Sequence, residues 1–170
     1  MRLLFELKEE DLDPNGKVFA RHSARAIIIQ DRKVAMVYSR KYDYYKFPGG
    51  GIEKDEDPVR AMIRETAEEA GLSVLPETVQ EYGYVHRVSK SDHSDADIFL
   101  QDNFYYLCRA KAAAGQNLDA YEAEEGFTPR WIEPETAIKV NRCHDHGSTD
   151  QTMLERDAQV LEILISEHYL

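Results

Sequence analysis

The chain has 170 residues, 42% of them hydrophobic, with 32 acidic against 21 basic side chains and a formal charge of −11 at neutral pH. That length and apolar content suit one compact domain, residues 1–170, with a substantial core. The acidic excess argues against a DNA or RNA strand as partner, because such binding runs on phosphate neutralisation by Lys and Arg; a small phosphate ester stays compatible if a cation bridges it to the protein.

The first apolar run, Leu3 to Phe5, meets acidic residues at once and lacks the longer core of a signal peptide, and no later stretch is long enough to span a bilayer. Cys108 and Cys143 form no C-x-x-C pair, so a reduced, cytoplasmic setting is expected. Alternation from Arg2 to Lys8 predicts a strand and Asp13-Pro14-Asn15-Gly16 a turn, together an opening hairpin. Lys17 to Gln30, ending in the dense run Ala26-Ile27-Ile28-Ile29, and Lys33 to Ser39 read as antiparallel central strands around an Asp31-Arg32 turn. The next segment, Lys41 to Pro48, carries Tyr42, Tyr44 and Tyr45, which either pack half-buried or offer a ring to a base. Arg40 and Lys46 are surface solubilisers or phosphate contacts, and Arg40 is the better candidate because bidentate phosphate recognition suits a guanidinium.

Gly49 to Leu72 fixes more chemically demanding residues at strict spacing than any other segment. Asp57 as N-cap, Pro58 at the first helical position and Gly71 as the stop predict a helix over Pro58 to Ala70. At about 100° per residue, Val59, Met62, Ile63, Thr66 and Ala70 share one face, and Glu65, Glu68 and Glu69 share another. Like charges at these spacings repel, and the helix dipole disfavours them near its C-terminal end. Two readings are open: a solvated acidic face with Arg64 pairing Glu68, or a site for a hard cation such as Mg²⁺ or Mn²⁺. Removing one carboxylate should then relieve repulsion. Gly49-Gly50-Gly51 favours the metal, since bare backbone can bring a carbonyl close to the carboxylates.

These residues resemble the Nudix box, G-x5-E-x7-R-E-U-x-E-E-x-G-U with U a bulky apolar residue, matched by Gly50, Glu56, Arg64-Glu65, Glu68-Glu69, Gly71 and Leu72. Seven fixed positions make a chance match on the order of one in a million. The one departure is Thr66 at a position that is usually aliphatic. The resemblance implies an α/β (α+β) fold, a mixed β-sheet sandwiched between helices, closing here with a long C-terminal helix. It implies Gly49, Glu56, Glu65, Glu68 and Glu69 as the metal set, Glu65 as general base with Arg64 holding the carboxylates in register, and Arg40 upstream as a phosphate contact.

Beyond the box, Ser73 to Val88 is β-rich and Phe99 to Arg109 reads as a strand. Ser89 to Asp97, SKSDHSDAD, is a loop that either closes over a ligand or is merely mobile. Leu118 to Gly126 is a second acidic patch, expected as a loop, before a short strand with the only tryptophan, Trp131. The family order places a further metal-approaching or basic glutamate there: Glu125 first, then Glu122 and Glu124. Pro134 to Val140 predicts a short helix, and Thr149 or Asp150 caps a longer one through Leu164. Cys143-His144-Asp145-His146 lacks the second ligand pair that structural zinc requires.

The expected activity is metal-dependent hydrolysis of a phosphoanhydride bond in a nucleoside diphosphate linked to another moiety. The alternatives are a catalytically silent nucleotide sensor, against which all the box glutamates stand, and an isomerase of the same fold. The family's downstream marks, a proline in many ADP-ribose hydrolases and a tyrosine in many dinucleoside polyphosphate hydrolases, are missing from His86-Arg87-Val88-Ser89-Lys90. A small nucleotide-type substrate outside those classes is expected, with Arg40 or Arg87 on phosphate and Tyr45 among the tyrosines on the base or sugar. No nucleic-acid or membrane partner is expected, and a homodimer is the assembly carried forward.

Overall fold

A computed structural model of the protein describes residues 1–112 and 115–170. Three strands open the chain, β1 (Leu3–Lys8), β2 (Val18–Ala20) and β3 (Ser23–Ile27), then β4 (Ile29–Gln30), β5 (Lys33–Ser39), β6 (Tyr44–Lys46) and β7 (Gly49–Gly51) lead into helix α1 (Pro58–Ala70). Strands β8 (Leu72–Val74), β9 (Gln80–Lys90), β10 (Ile98–Leu107) and β11 (Ala110–Ala112) come next, then α2 (Ala120–Glu125), β12 (Thr128–Ile132), α3 (Pro134–Cys143) and α4 (Gln151–Ser166). The main sheet runs β1-β9-β10-β3-β7 with β2 also on β10; β12-β5-β4 with β6 forms a second sheet, and β11-β8 a third.

The main sheet is mixed, because β1 lies parallel to β9 and β3 parallel to β10, while β9–β10 and β3–β7 are antiparallel. Alternation along β3 gives it two loaded faces. Ala24 and Ala26 join Ala61 and Met62 of α1 in one apolar cluster, whereas Ile27 joins Phe47, Tyr105, Ala137, Val160, Leu161 and Leu164 in another, beneath α3 and α4. The small alanines let α1 approach the sheet closely. The expected α+β sandwich with a long last helix is thus the observed one, and no helix among the described residues is long and apolar enough to cross a membrane.

Helix α1 has the predicted bounds: the Asp57 side chain accepts the N–H groups of Val59 and Arg60, and Gly71 closes it at φ +60°. Other expectations change. Instead of forming a hairpin with the next strand, β1 adds in parallel to β9, where Gly83 leaves room for the Leu4 side chain. The stretch from Lys17 to Gln30 is broken, since the chain changes sheet at Ile28 and meets β5 only through the short β4. The second acidic patch is not a loop: α2 starts at a capping box in which Asp119 and Glu122 each accept the other's backbone N–H. Asp150, not Thr149, caps α4. His146 is buried with both ring nitrogens facing backbone carbonyls, of Tyr42 on one side and of Val140 and Asn141 on the other, which takes it out of any zinc set. Both cysteines are free.

Asp157 of α4 is fully buried and accepts from Arg156 Nε at 2.9 Å, the Tyr105 hydroxyl at 3.0 Å and the Phe47 backbone N–H at 3.2 Å. It ties α4 to β10 and to the chain just before β7. Removing one partner of a buried pair strands the other charge, so Asp157→Ala should cost about 3–5 kcal/mol of stability. Urea unfolding measures this; a loss under about 1 kcal/mol, the scale of an exposed pair, would show that the network does not hold α4 in place.

Candidate active site

The site grows from α1 and the glycine strand that leads into it. In β7, Gly49 lies opposite Arg25 of β3 at φ +129°, and a Cβ there would collide with the Ala24 carbonyl. A Cβ on Gly50 would strike the Glu65 carboxylate. Gly49 is therefore needed for β7 to pair with β3, and Gly50 leaves room for the Glu65 carboxylate of the helix.

Arg64 braces the acidic face. Its Nε and one terminal nitrogen take Glu56 bidentately at 3.0 and 2.9 Å, and the other nitrogen reaches Glu65 at 2.6 Å and Glu68 at 3.3 Å. The guanidinium holds the Glu56 carboxyl below its usual range, and burial pushes the Glu65 carboxyl up against the opposing pull of Arg64. Glu69 is fully buried and accepts from Lys46 Nζ at 2.5 Å and from the Gly49 N–H at 3.1 Å. The same ammonium lies 4.3 Å from the centroid of the Phe127 ring.

Carboxylate oxygens of Glu65, Glu69 and Glu122 lie within 4.8 Å of one another. Glu122 comes from α2, where the capping box turns it inward, and burial, with help from Glu69, raises its carboxyl to about 7. Three hard oxygen donors, two of them buried and two pushed toward protonation, suit a divalent cation such as Mg²⁺ or Mn²⁺, which would favour their ionised forms.

The structure sorts the expected site residues. Glu65 and Glu69 converge as predicted. Glu68 is more exposed and outside the three-carboxylate cluster, and Glu56 is occupied by Arg64. The Gly49 carbonyl, expected in the metal shell, accepts from Arg25. The Glu125 carboxylate accepts from Ser39 and Tyr44 at 3.0 and 2.8 Å, so Glu122 replaces it as the α2 member of the cluster. Tyr45 is half-buried with Tyr38 packed on it, centroids 4.9 Å apart, and Tyr44 is buried and offers no face to a base. Arg40 is exposed, its aliphatic stem over Gly126 at the end of α2. Arg87 lies elsewhere, on a cleft beneath α4. Sequence reasoning missed Glu122 as first choice, although D-x-x-E at Asp119 to Glu122 is a helix-start signature. It also missed Arg25, a lone charge inside a dense apolar strand run.

Fold and site define a class: an α+β protein whose glycine strand and capped helix present clustered glutamates braced by one arginine. The family model described as NUDIX domain matches residues 20–155. Diphosphoinositol polyphosphate phosphohydrolase 3-beta of Bos taurus is 30% identical over 137 residues, 78% of this chain and 74% of that protein. An RNA pyrophosphohydrolase of Xanthomonas oryzae pv. oryzae (strain MAFF 311018) is 40% identical over 72 residues, 42% of this chain. The match spans only 33% of that relative's length. Among solved structures, a NUDIX hydrolase from Nitrosomonas europaea superposes with a TM-score of 0.57 at 20% identity, covering 84% of this chain and 90% of that one, a likeness of fold. The chain belongs to the Nudix family.

The geometry separates two glutamates that sequence left as alternatives. Glu122→Gln should weaken Mn²⁺ binding about 10–100-fold, whereas Glu125→Gln should leave it within about twofold. Titration calorimetry on the two variants decides; equal losses would return Glu125 to the cluster.

Proposed function

We propose that the protein, with residues 1–170 acting as one catalytic domain, hydrolyses a phosphoanhydride bond in a nucleoside diphosphate linked to another moiety. Mg²⁺ or Mn²⁺ would be held by Glu65, Glu69 and Glu122. The convergence of these three carboxylates, two from the box helix α1 and one from α2, is the observation that supports this reading. The names of the bovine and bacterial relatives, both hydrolases of diphosphate or pyrophosphate groups, point the same way.

A divalent ion in such a site neutralises non-bridging oxygens and lowers the pKa of bound water. The chain's own residues do the rest. Glu65, half-buried and with a raised carboxyl, is placed to take the proton of the attacking water. Arg64 keeps Glu65 and Glu68 from swinging apart and ties the loop at Glu56 to the helix. Lys46 holds the Glu69 carboxylate in one orientation, so that Glu69→Gln would leave a buried ammonium unpaired; the expectation that relieving charge there stabilises the helix is reversed by this contact. A silent sensor would bind without turnover, and no contact in the site favours it.

Hydrolysis should require added Mg²⁺ or Mn²⁺ and vanish in excess chelator. Glu65→Gln should lower kcat by about 10²–10⁴-fold with the fold intact, while Glu68→Gln should cost much less. A panel of ADP-ribose, a dinucleoside tetraphosphate, nucleoside triphosphates and nucleotide sugars tests this; undiminished turnover in chelator, or by Glu65→Gln, would overturn the assignment.

A further inference from the structure

On the face of the main sheet opposite α1 lies a cleft of about 400 Å³ between β9, β10 and the start of α4. Its charged lining is Arg25, Arg87, Lys90 and Arg156 against Asp92 and Asp150. In a chain of net charge −11, this local excess of cations runs against the rest of the composition.

The floor is built from buried groups. Arg25 is 8% exposed and Arg156 2% exposed. Arg156 spends Nε on Asp157 and one terminal nitrogen on Asn103 Oδ1 at 2.7 Å, but its other terminal nitrogen has no partner among the described residues. Arg25 donates to the carbonyls of Gly49 and Phe47, and its Nε is unpartnered. Asn103, fully buried beside them, accepts from Ser23 and Arg156 and leaves its Nδ2 without an acceptor. On the wall, Arg87 pairs with Asp150 through one nitrogen, and its buried Nε is free. Of these two buried guanidiniums, Arg156 pairs with the buried Asp157 carboxylate, whereas Arg25, among the described residues, donates only to carbonyls. Among the described residues, three unpartnered guanidinium nitrogens, on Arg25, Arg156 and Arg87, belong to side chains that line the cleft, and the Nδ2 of Asn103, which contacts Arg156, is a fourth buried donor without a partner. Buried donors without acceptors and buried charge without a counter-charge both cost stability. A multiply charged oxyanion would satisfy both needs at once, and guanidinium forks are the groups best matched to phosphate.

Gly49 joins this cleft to the carboxylate cluster, since its N–H donates to Glu69 and its carbonyl accepts from Arg25. We infer that the cleft is a phosphate subsite: the moiety joined to the scissile diphosphate carries a phosphate of its own, received by Arg25, Arg156 and Arg87. This rests on the hydrolase reading for its link to substrate, but the anion site itself does not. The tyrosines expected to hold this moiety are packed elsewhere, and the cleft offers charge in place of a stacking ring.

Metal-stripped full-length protein is titrated with tripolyphosphate at constant ionic strength, by calorimetry and by thermal unfolding. One site and a raised Tm are expected, with affinity falling about tenfold or more in Arg87→Gln and in Arg156→Gln. Should Arg156→Gln fail to fold, the Arg87→Gln result stands alone, because that side chain is on the wall. No binding, or binding unchanged in Arg87→Gln, overturns the subsite. In the second arm, NADP⁺ and NAD⁺, two diphosphate-linked dinucleotides differing by one ribose phosphate, are compared as substrates or as competitive inhibitors of turnover. Arg87→Gln should raise KM or Ki for NADP⁺ only, with kcat held; an equal change for both overturns the link to substrate. Turnover without tripolyphosphate binding sinks the cleft alone, whereas binding without turnover of any diphosphate sinks the hydrolase reading and leaves the anion site standing.

Discussion

Mutual repulsion among five carboxylates, Glu56, Glu65, Glu68, Glu69 and Glu122, is the constraint around which the site is arranged. Two cations oppose it, and they are not interchangeable. Arg64 can hold Glu56 through two parallel N–H groups and still reach Glu65 and Glu68, because the guanidinium is a fixed fork. A lysine at that position would hold one carboxylate at a time. Lys46 is instead a point charge, buried with a single buried carboxylate and shielded by Phe127. Only two cations face these five carboxylates; burial is the main cause of the raised Glu65 and Glu122 carboxyls, and neighbouring carboxylates add to it. The divalent cation we propose would supply the missing positive charge.

Backbone approach is the second constraint, and it falls on β7. Gly49 and Gly50 have neighbours where a Cβ would sit, the Ala24 carbonyl on one side and the Glu65 carboxylate on the other. Since Gly49 also donates to Glu69 and accepts from Arg25, one residue is fixed from both faces of the sheet. A side chain at Gly49 would move the metal-side carboxylate and the cleft-side guanidinium together, which is why neither face can be altered independently at this point.

How much can be read from the sequence depends on how local each signal is. The bounds of α1 were legible because Asp57, Pro58 and Gly71 act within one turn of themselves. Strand existence was legible from alternation and apolar runs, but pairing was not: that β1 joins β9 in parallel depends on Gly83 making room for Leu4, some eighty residues away. In the site, spacing on one helix put Glu65 and Glu69 on one face, and their carboxylates do lie close together. It could not show that Glu68 lies on the solvent side of the cluster, nor that Lys46 comes from the preceding strand to pair with Glu69. Glu122 and Glu125 have the same chemistry three residues apart. Only the capping box separates them, by committing Glu122 to the inner side and leaving Glu125 to Ser39 and Tyr44.

For an acidic protein, the anionic substrate we propose would face unfavourable electrostatics at long range. Screening limits this: at physiological ionic strength the Debye length is about 8 Å, so the overall charge of the chain is felt only close to its surface. Inside a cleft walled by low-dielectric groups, the local charges dominate. Arg25 and Arg156, held under α4 and short of acceptors, set the potential there, and the carboxylate cluster, with the cation we propose for it, would set it on the other side of Gly49. Capture then depends on the substrate satisfying both places. A ligand with a lone diphosphate meets only the metal side and leaves the buried guanidinium donors unpaired, whereas a ligand with a further phosphate supplies their acceptors; selectivity of this kind comes from the cost of leaving buried donors unmet, and needs no ring to stack against a base.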